Sequence, residues 1–67
     1  MKDNNFVAQA GYVILRDTTG LRHAVRPEEV IGVSELYEDG AECLVTLSCG
    51  QFLRVPRALT EILEGLN

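Results

Sequence analysis

Val30-Ile31-Gly32-Val33-Ser34-Glu35-Leu36-Tyr37-Glu38-Asp39-Gly40-Ala41-Glu42-Cys43-Leu44-Val45-Thr46-Leu47-Ser48 is the stretch that decides the fold. Two runs rich in strand-forming residues flank Asp39-Gly40, a dipeptide whose backbone preferences match the twist joining two antiparallel strands. The first run, 30–37, places Ile31, Val33 and Tyr37 on one face. The second, 43–48, alternates Cys43, Val45 and Leu47 against Leu44, Thr46 and Ser48.

The same reading extends in both directions. Upstream, residues 6–16 carry Phe6, Ala8, Ala10, Tyr12 and Ile14 on one face and Val7, Val13 and Leu15 on the other, the pattern of a central strand. Gly11 marks a bend or bulge within it. Asp17-Thr18-Thr19-Gly20 is a turn: the Asp17 carboxylate accepts from the backbone two residues on, and Gly20 takes positive φ. Residues 21–25 return as a short strand that Pro27 ends. Downstream, the chain turns at 48–51 and runs on as a fifth strand, 52–55. The sequence then changes period. Leu59, Ile62, Leu63 and Leu66 recur at the spacing of one helical stripe over 57–66. Four such side chains contribute about 1.5–3 kcal/mol each when buried, so Leu63→Asp is expected to unfold the protein. No internal repeat, linker or low-complexity segment is evident.

The expected fold is therefore mainly β: about five antiparallel strands in a curled sheet or small barrel, closed on one side by a C-terminal helix. Residues 1–5 read as a flexible polar terminus and 6–67 as one small domain. A domain of this size hides only about 60% of its unfolded surface and is marginally stable.

Chemistry is mostly argued against. Ten acids against six bases leave a net charge of −4, which repels nucleic acid and anionic lipid. No apolar run is long enough to span a bilayer. Cys43 and Cys49 are six residues apart. Along one strand that is about 20 Å, well beyond the ~7 Å a disulfide allows. Two free thiols and no leader sequence suit the cytoplasm. With one histidine, His23, the chain lacks the paired short-spaced ligands of a zinc site. The glycines are spaced as turn punctuation rather than as a phosphate cradle. The reading is no metal, no cofactor and no catalytic residue.

One feature points toward a partner. From Pro27 to Leu53 there are six acids, Glu28, Glu29, Glu35, Glu38, Asp39 and Glu42, and no Lys or Arg. With Tyr37 they form the candidate binding face of a non-catalytic interaction module, a small regulatory adaptor or inhibitor that docks on a basic protein surface. The alternatives are a homo-oligomeric structural unit, starting from a homodimer joined through unpaired strand edges, and a nucleic-acid binder. The last would use its arginines, with Arg16, Arg22 and Arg54 converging if the fifth strand lies beside the first hairpin. Net charge disfavours it.

The order Glu28-Glu29-Val30-Ile31-Gly32-Val33, then Cys43-Leu44-Val45-Thr46-Leu47-Ser48-Cys49-Gly50-Gln51-Phe52-Leu53-Arg54-Val55, then Leu59-Thr60-Glu61-Ile62-Leu63-Glu64 resembles the FlbD/SwrD-type small flagellar proteins across residues 27–66. More loosely it is similar to the sheet of LytTR-type domains. The likeness rests on Val45, Leu47, Gly50, Val55, Ile62 and Leu63, which are packing positions. It implies a strand-turn-strand-helix architecture and a flagellar-accessory role, and it assigns no functional residue. The N-terminal extension and the 38–42 insertion depart from the flagellar pattern, and the basic loops of LytTR domains are missing.

Overall fold

A computed structural model describes residues 8–67. The polar stretch 1–5, and Phe6 and Val7 of the expected first strand, lie outside the described residues. The fold is mainly β, with antiparallel strands and one C-terminal helix. The strands divide between two three-stranded sheets that do not close into a barrel.

The N-terminal sheet contains β1 (Ala8–Gln9), β2 (Tyr12–Arg16) and β3 (Arg22–Val25) in that order. What reads as one long strand from residue 6 is a hairpin. Gln9 pairs with Tyr12 across Ala10 and Gly11, whose φ angles of 55° and 83° are those of a two-residue turn with both central residues left-handed. Glycine takes that conformation readily. Alanine does so only at a cost, which is why a bend at Gly11 is legible and the full reversal is not.

The C-terminal sheet repeats the connectivity with β4 (Val30–Glu35), β5 (Cys43–Leu47) and β6 (Phe52–Val55). The parallel reaches the sequence. Gly20 and Val25, and Gly50 and Val55, stand at the same separation. Both glycines are left-handed, at 92° and 95°, both valines are buried, and a proline follows each, Pro27 and Pro56.

The inner faces of the sheets supply the core. Val13, Leu15 and Val25 come from the first sheet, and Cys43, Val45, Leu47 and Val55 from the second; Ile62 of the helix completes the cluster. The inward alternation of β5 is as its sequence reads. In β4 it is not: Val30 lies opposite Leu47 and Gly32 opposite Thr46, so Ile31 is an extra residue in a β-bulge. The bulge shifts the side-chain parity. Val30 and Val33 pack on the core while Ile31 is 67% exposed, which corrects the expectation that Ile31 and Val33 share a face.

The helix, α1 (Leu59–Leu66), packs against β4. Ile62 is fully buried, Leu59 and Leu66 rest against the core, and Leu63 is 47% exposed. The stripe is therefore narrower than its spacing suggests, and Leu63 is not the residue that holds the helix down. Ala58 precedes the helix in extended conformation. The Glu61 carboxylate accepts from the Ala58 N–H at 3.1 Å. Alanine has no side-chain acceptor to return the bond, so only half of a reciprocal cap forms.

Candidate functional site

The second hairpin separates the acids into two groups. Glu28 and Glu29 sit in a single 3₁₀ turn, Pro27–Glu29, at one end of β4. Glu35, Glu38, Asp39 and Glu42 gather at the other end, around the loop between β4 and β5. Six residues of strand rise put Glu29 and Glu35 about 20 Å apart. One continuous acidic face is therefore not what the fold builds.

At the 3₁₀ end Glu29 is structural. Its carbonyl accepts from the Ser48 N–H at 2.8 Å and its carboxylate from the Ser48 hydroxyl, tying the crossover between the sheets to the β5–β6 turn. Glu28 is exposed.

The opposite tip, residues 36–42, is longer than the two-residue turn that Asp39-Gly40 suggests. Leu36 N–H donates to the Glu42 carbonyl at 3.0 Å, and Gly40 N–H to the Tyr37 carbonyl at 3.0 Å. The Asp39 carboxylate accepts from the Ala41 N–H at 2.9 Å. Arg54, from the neighbouring strand β6, braces the loop from the side. Its Nε lies 2.7 Å from Glu42 Oε2, and its Nη2 donates to the Tyr37 hydroxyl at 2.9 Å. The hydrogen bond and charge of Glu42 push the Arg54 guanidinium pKa above its ordinary value.

Of the candidate acids, Glu42 is thus neutralised within the molecule. Glu28, Glu35 and Glu38 make neither ion pair nor hydrogen bond among the described residues. The tip presents Glu35, Glu38 and Asp39 together with Leu36 and Tyr37, which are 36% and 51% exposed. The bond to Arg54 holds the Tyr37 ring in place while leaving half of it open. Its partner lies seventeen positions away, so reading the sequence stretch by stretch could not pair them.

The first hairpin carries the remaining charge. Asp17 does what its turn sequence implies, and more. Its Oδ1 accepts from Thr19 N–H at 2.8 Å, Thr19 Oγ1 at 2.6 Å and Leu21 N–H at 3.1 Å. Its Oδ2 lies 2.7 Å from His23 Nε2. The Thr19 hydroxyl first, and His23 second, hold the carboxyl well below the usual carboxylate range. His23 is thereby engaged in the turn rather than with either cysteine. Cys43 is buried and Cys49 exposed, both as free thiols. Burial, and secondarily the charge of Glu35, push the Cys43 thiol up.

β6 does lie beside this hairpin, because Thr18 N–H donates to the Arg54 carbonyl at 2.9 Å. The expected three-arginine patch still does not form there, since the Arg54 side chain is committed to Glu42 and Tyr37. Arg16 and Arg22 are instead register partners on β2 and β3, on the outer face of the N-terminal sheet. Arg26 lies over the Tyr12 ring at 4.7 Å. A cleft of about 340 Å³ opens beside that stack, lined by Tyr12, Arg26, Glu29, Leu47 and Cys49 among others. Among the described residues no group of His, Cys, Asp and Glu is arranged to hold a metal ion, and no helix is long and apolar enough to cross a membrane. No protein-family model, curated protein or solved structure matches this chain.

Proposed function

We propose that the protein is a non-catalytic protein-binding module, a small cytoplasmic regulatory adaptor or inhibitor, and that its contact surface is the 35–42 tip of the second hairpin. The partner presents a basic surface. The observation that carries this reading is the half-open Tyr37 ring, anchored by Arg54 and flanked by the unpaired Glu35 and Glu38. A fixed aromatic loses little conformational freedom on binding, which is the property of residues that dominate interface energetics. The acids beside it add steering and orientation more than affinity. Glu28 and Glu29 drop out of the contact because β4 holds them at its other end.

The test is retention of host proteins on immobilised wild type and on Glu35→Lys/Glu38→Lys and Tyr37→Ala variants, followed by titration of whatever the wild type alone retains. Tyr37→Ala should weaken binding by at least about tenfold. The charge reversal should slow association and flatten its salt dependence. A partner that binds all three proteins equally, with the same salt response, excludes the tip.

A further inference from the structure

The outer face of the N-terminal sheet concentrates positive charge. β2 turns Val13 and Leu15 into the core and Tyr12, Ile14 and Arg16 outward; β3 turns Val25 inward and Arg22 and Ala24 outward. Ile14 lies opposite Ala24 and Arg16 opposite Arg22. Arg26 reaches over Tyr12 at the far end. Three guanidinium groups therefore share one sheet face, and none of them pairs with a carboxylate among the described residues. Like charges directly opposite on neighbouring strands are destabilising, because the side chains approach to about 5 Å. Arg16 partly relieves this by donating to the Gly20 carbonyl at 2.8 Å; Arg22 is exposed and makes no ion pair among the described residues.

We propose that this face is a docking surface for the hairpin tip of a second copy of the same chain. The tip has what the face lacks: Glu35, Glu38 and Asp39 without ion pairs, beside exposed Leu36 and Tyr37. The face has Arg16, Arg22 and Arg26 beside half-buried Ile14 and exposed Ala24. Charge and apolar area are complementary on both counts. The proposal rests on the tip being a binding surface and names its partner.

A nucleic-acid strand fits the face less well. The net charge of −4 opposes a long polyanion along its whole length; a second copy carries the same net charge, but its three acids meet the arginines at the end of a narrow hairpin, with the rest of its charge held farther away and screened by salt. Arg26 already covers Tyr12, which removes the aromatic surface on which bases would stack. The contact joins two different surfaces, so it either propagates head to tail or closes reciprocally in a pair. Exposed ion pairs are individually weak, and the association is accordingly weak and salt-sensitive.

Sedimentation velocity of the full chain at high micromolar concentration provides the test, in about 50 mM and about 500 mM salt. Wild type should associate at low salt and weaken at least about tenfold at high salt. Arg22→Glu and Glu38→Arg should each be monomeric, and an equimolar mixture of the two should associate again, since the native tip of the Arg22→Glu chain meets the native face of the Glu38→Arg chain. Arg16 is left in place because it holds the turn. Arg26→Gln reads the same contact should Arg22→Glu not fold, and circular dichroism monitors folding throughout. A wild type that is monomeric at both salts, variants that associate like wild type, or a mixture that stays monomeric each overturn the proposal. So does a labelled single-stranded oligonucleotide that binds wild type and not Arg22→Glu. Titration with an octa-arginine peptide, read on the amides of 35–39, separates the two ideas. A tip that responds on a strictly monomeric chain preserves the tip as a binding surface and removes only the second copy as its partner.

Discussion

Replacing Ile62 by alanine should remove most of the stability of this domain, and replacing its neighbour Leu63 should not. Both residues are on the helix, both are apolar, and the stripe spacing treats them alike. In the structure Ile62 is fully buried among Val13, Leu15, Val25, Cys43, Val45, Leu47 and Val55, while Leu63 is 47% exposed. A fully buried Ile→Ala change costs about 2–5 kcal/mol, because the cavity left in a packed core adds to the lost transfer energy. Leu63→Ala gives up only the buried part of one side chain, about 1 kcal/mol or less, and alanine returns some helix propensity. At roughly 0.05–0.15 kcal/mol per residue, 67 residues give a net stability of about 3–10 kcal/mol. Urea unfolding followed by far-ultraviolet circular dichroism resolves the difference. With a slope of about 1 kcal/mol per molar urea, Ile62→Ala should lower the midpoint by about 2 M or more or leave no folded baseline, and Leu63→Ala by about 1 M or less. Equal losses from the two variants would refute the placement of the helix on the core.

Four further outcomes rest on particular contacts. Ala58→Ser supplies the acceptor missing from the half-formed cap at α1 and should stabilise the protein by about 1 kcal/mol, seen as a melting temperature higher by roughly 4–8 °C. The Asp17 carboxyl is depressed by Thr19 and His23, so its contribution is fully present above the unfolded carboxylate pKa of about 3.9 and is lost as pH falls below it; Asp17→Asn should flatten the acid limb of stability measured between about pH 5 and pH 2. An aromatic disulfide reagent should modify Cys49 at once and Cys43 only on unfolding. Because burial raises the Cys43 thiol, stability should also fall as pH rises past the unfolded thiol value of about 8.5, and Cys43→Ala should remove that alkaline loss.

Most of the elements and their chemistry are legible in local sequence, though the reversal at Ala10-Gly11 that splits β1 from β2 is not. Alternation in 43–47 is enough to bury Cys43, Val45 and Leu47, because a strand has only two faces and one must meet the core. Asp17 and Gly20 specify their turn locally, through a side-chain acceptor and a left-handed backbone. The change of period after Pro56 announces the helix. The distances that matter to binding are of another kind. Whether Glu42 is free depends on Arg54, twelve positions away on an adjacent strand. Whether Ile31 or Val30 faces inward depends on a bulge that the run of apolar residues allows but does not demand. Tertiary structure alone sent Glu28 and Glu29 to one end of β4 and Glu35 to the other, and set Arg16 beside Arg22. Periodicity reports which side of its own strand or helix a residue occupies. Pairing of strands decides which charges meet, and it is those meetings that leave Glu35 and Glu38 at one end of the protein, and three arginines on the outer face of its other sheet, without an ion pair among the described residues.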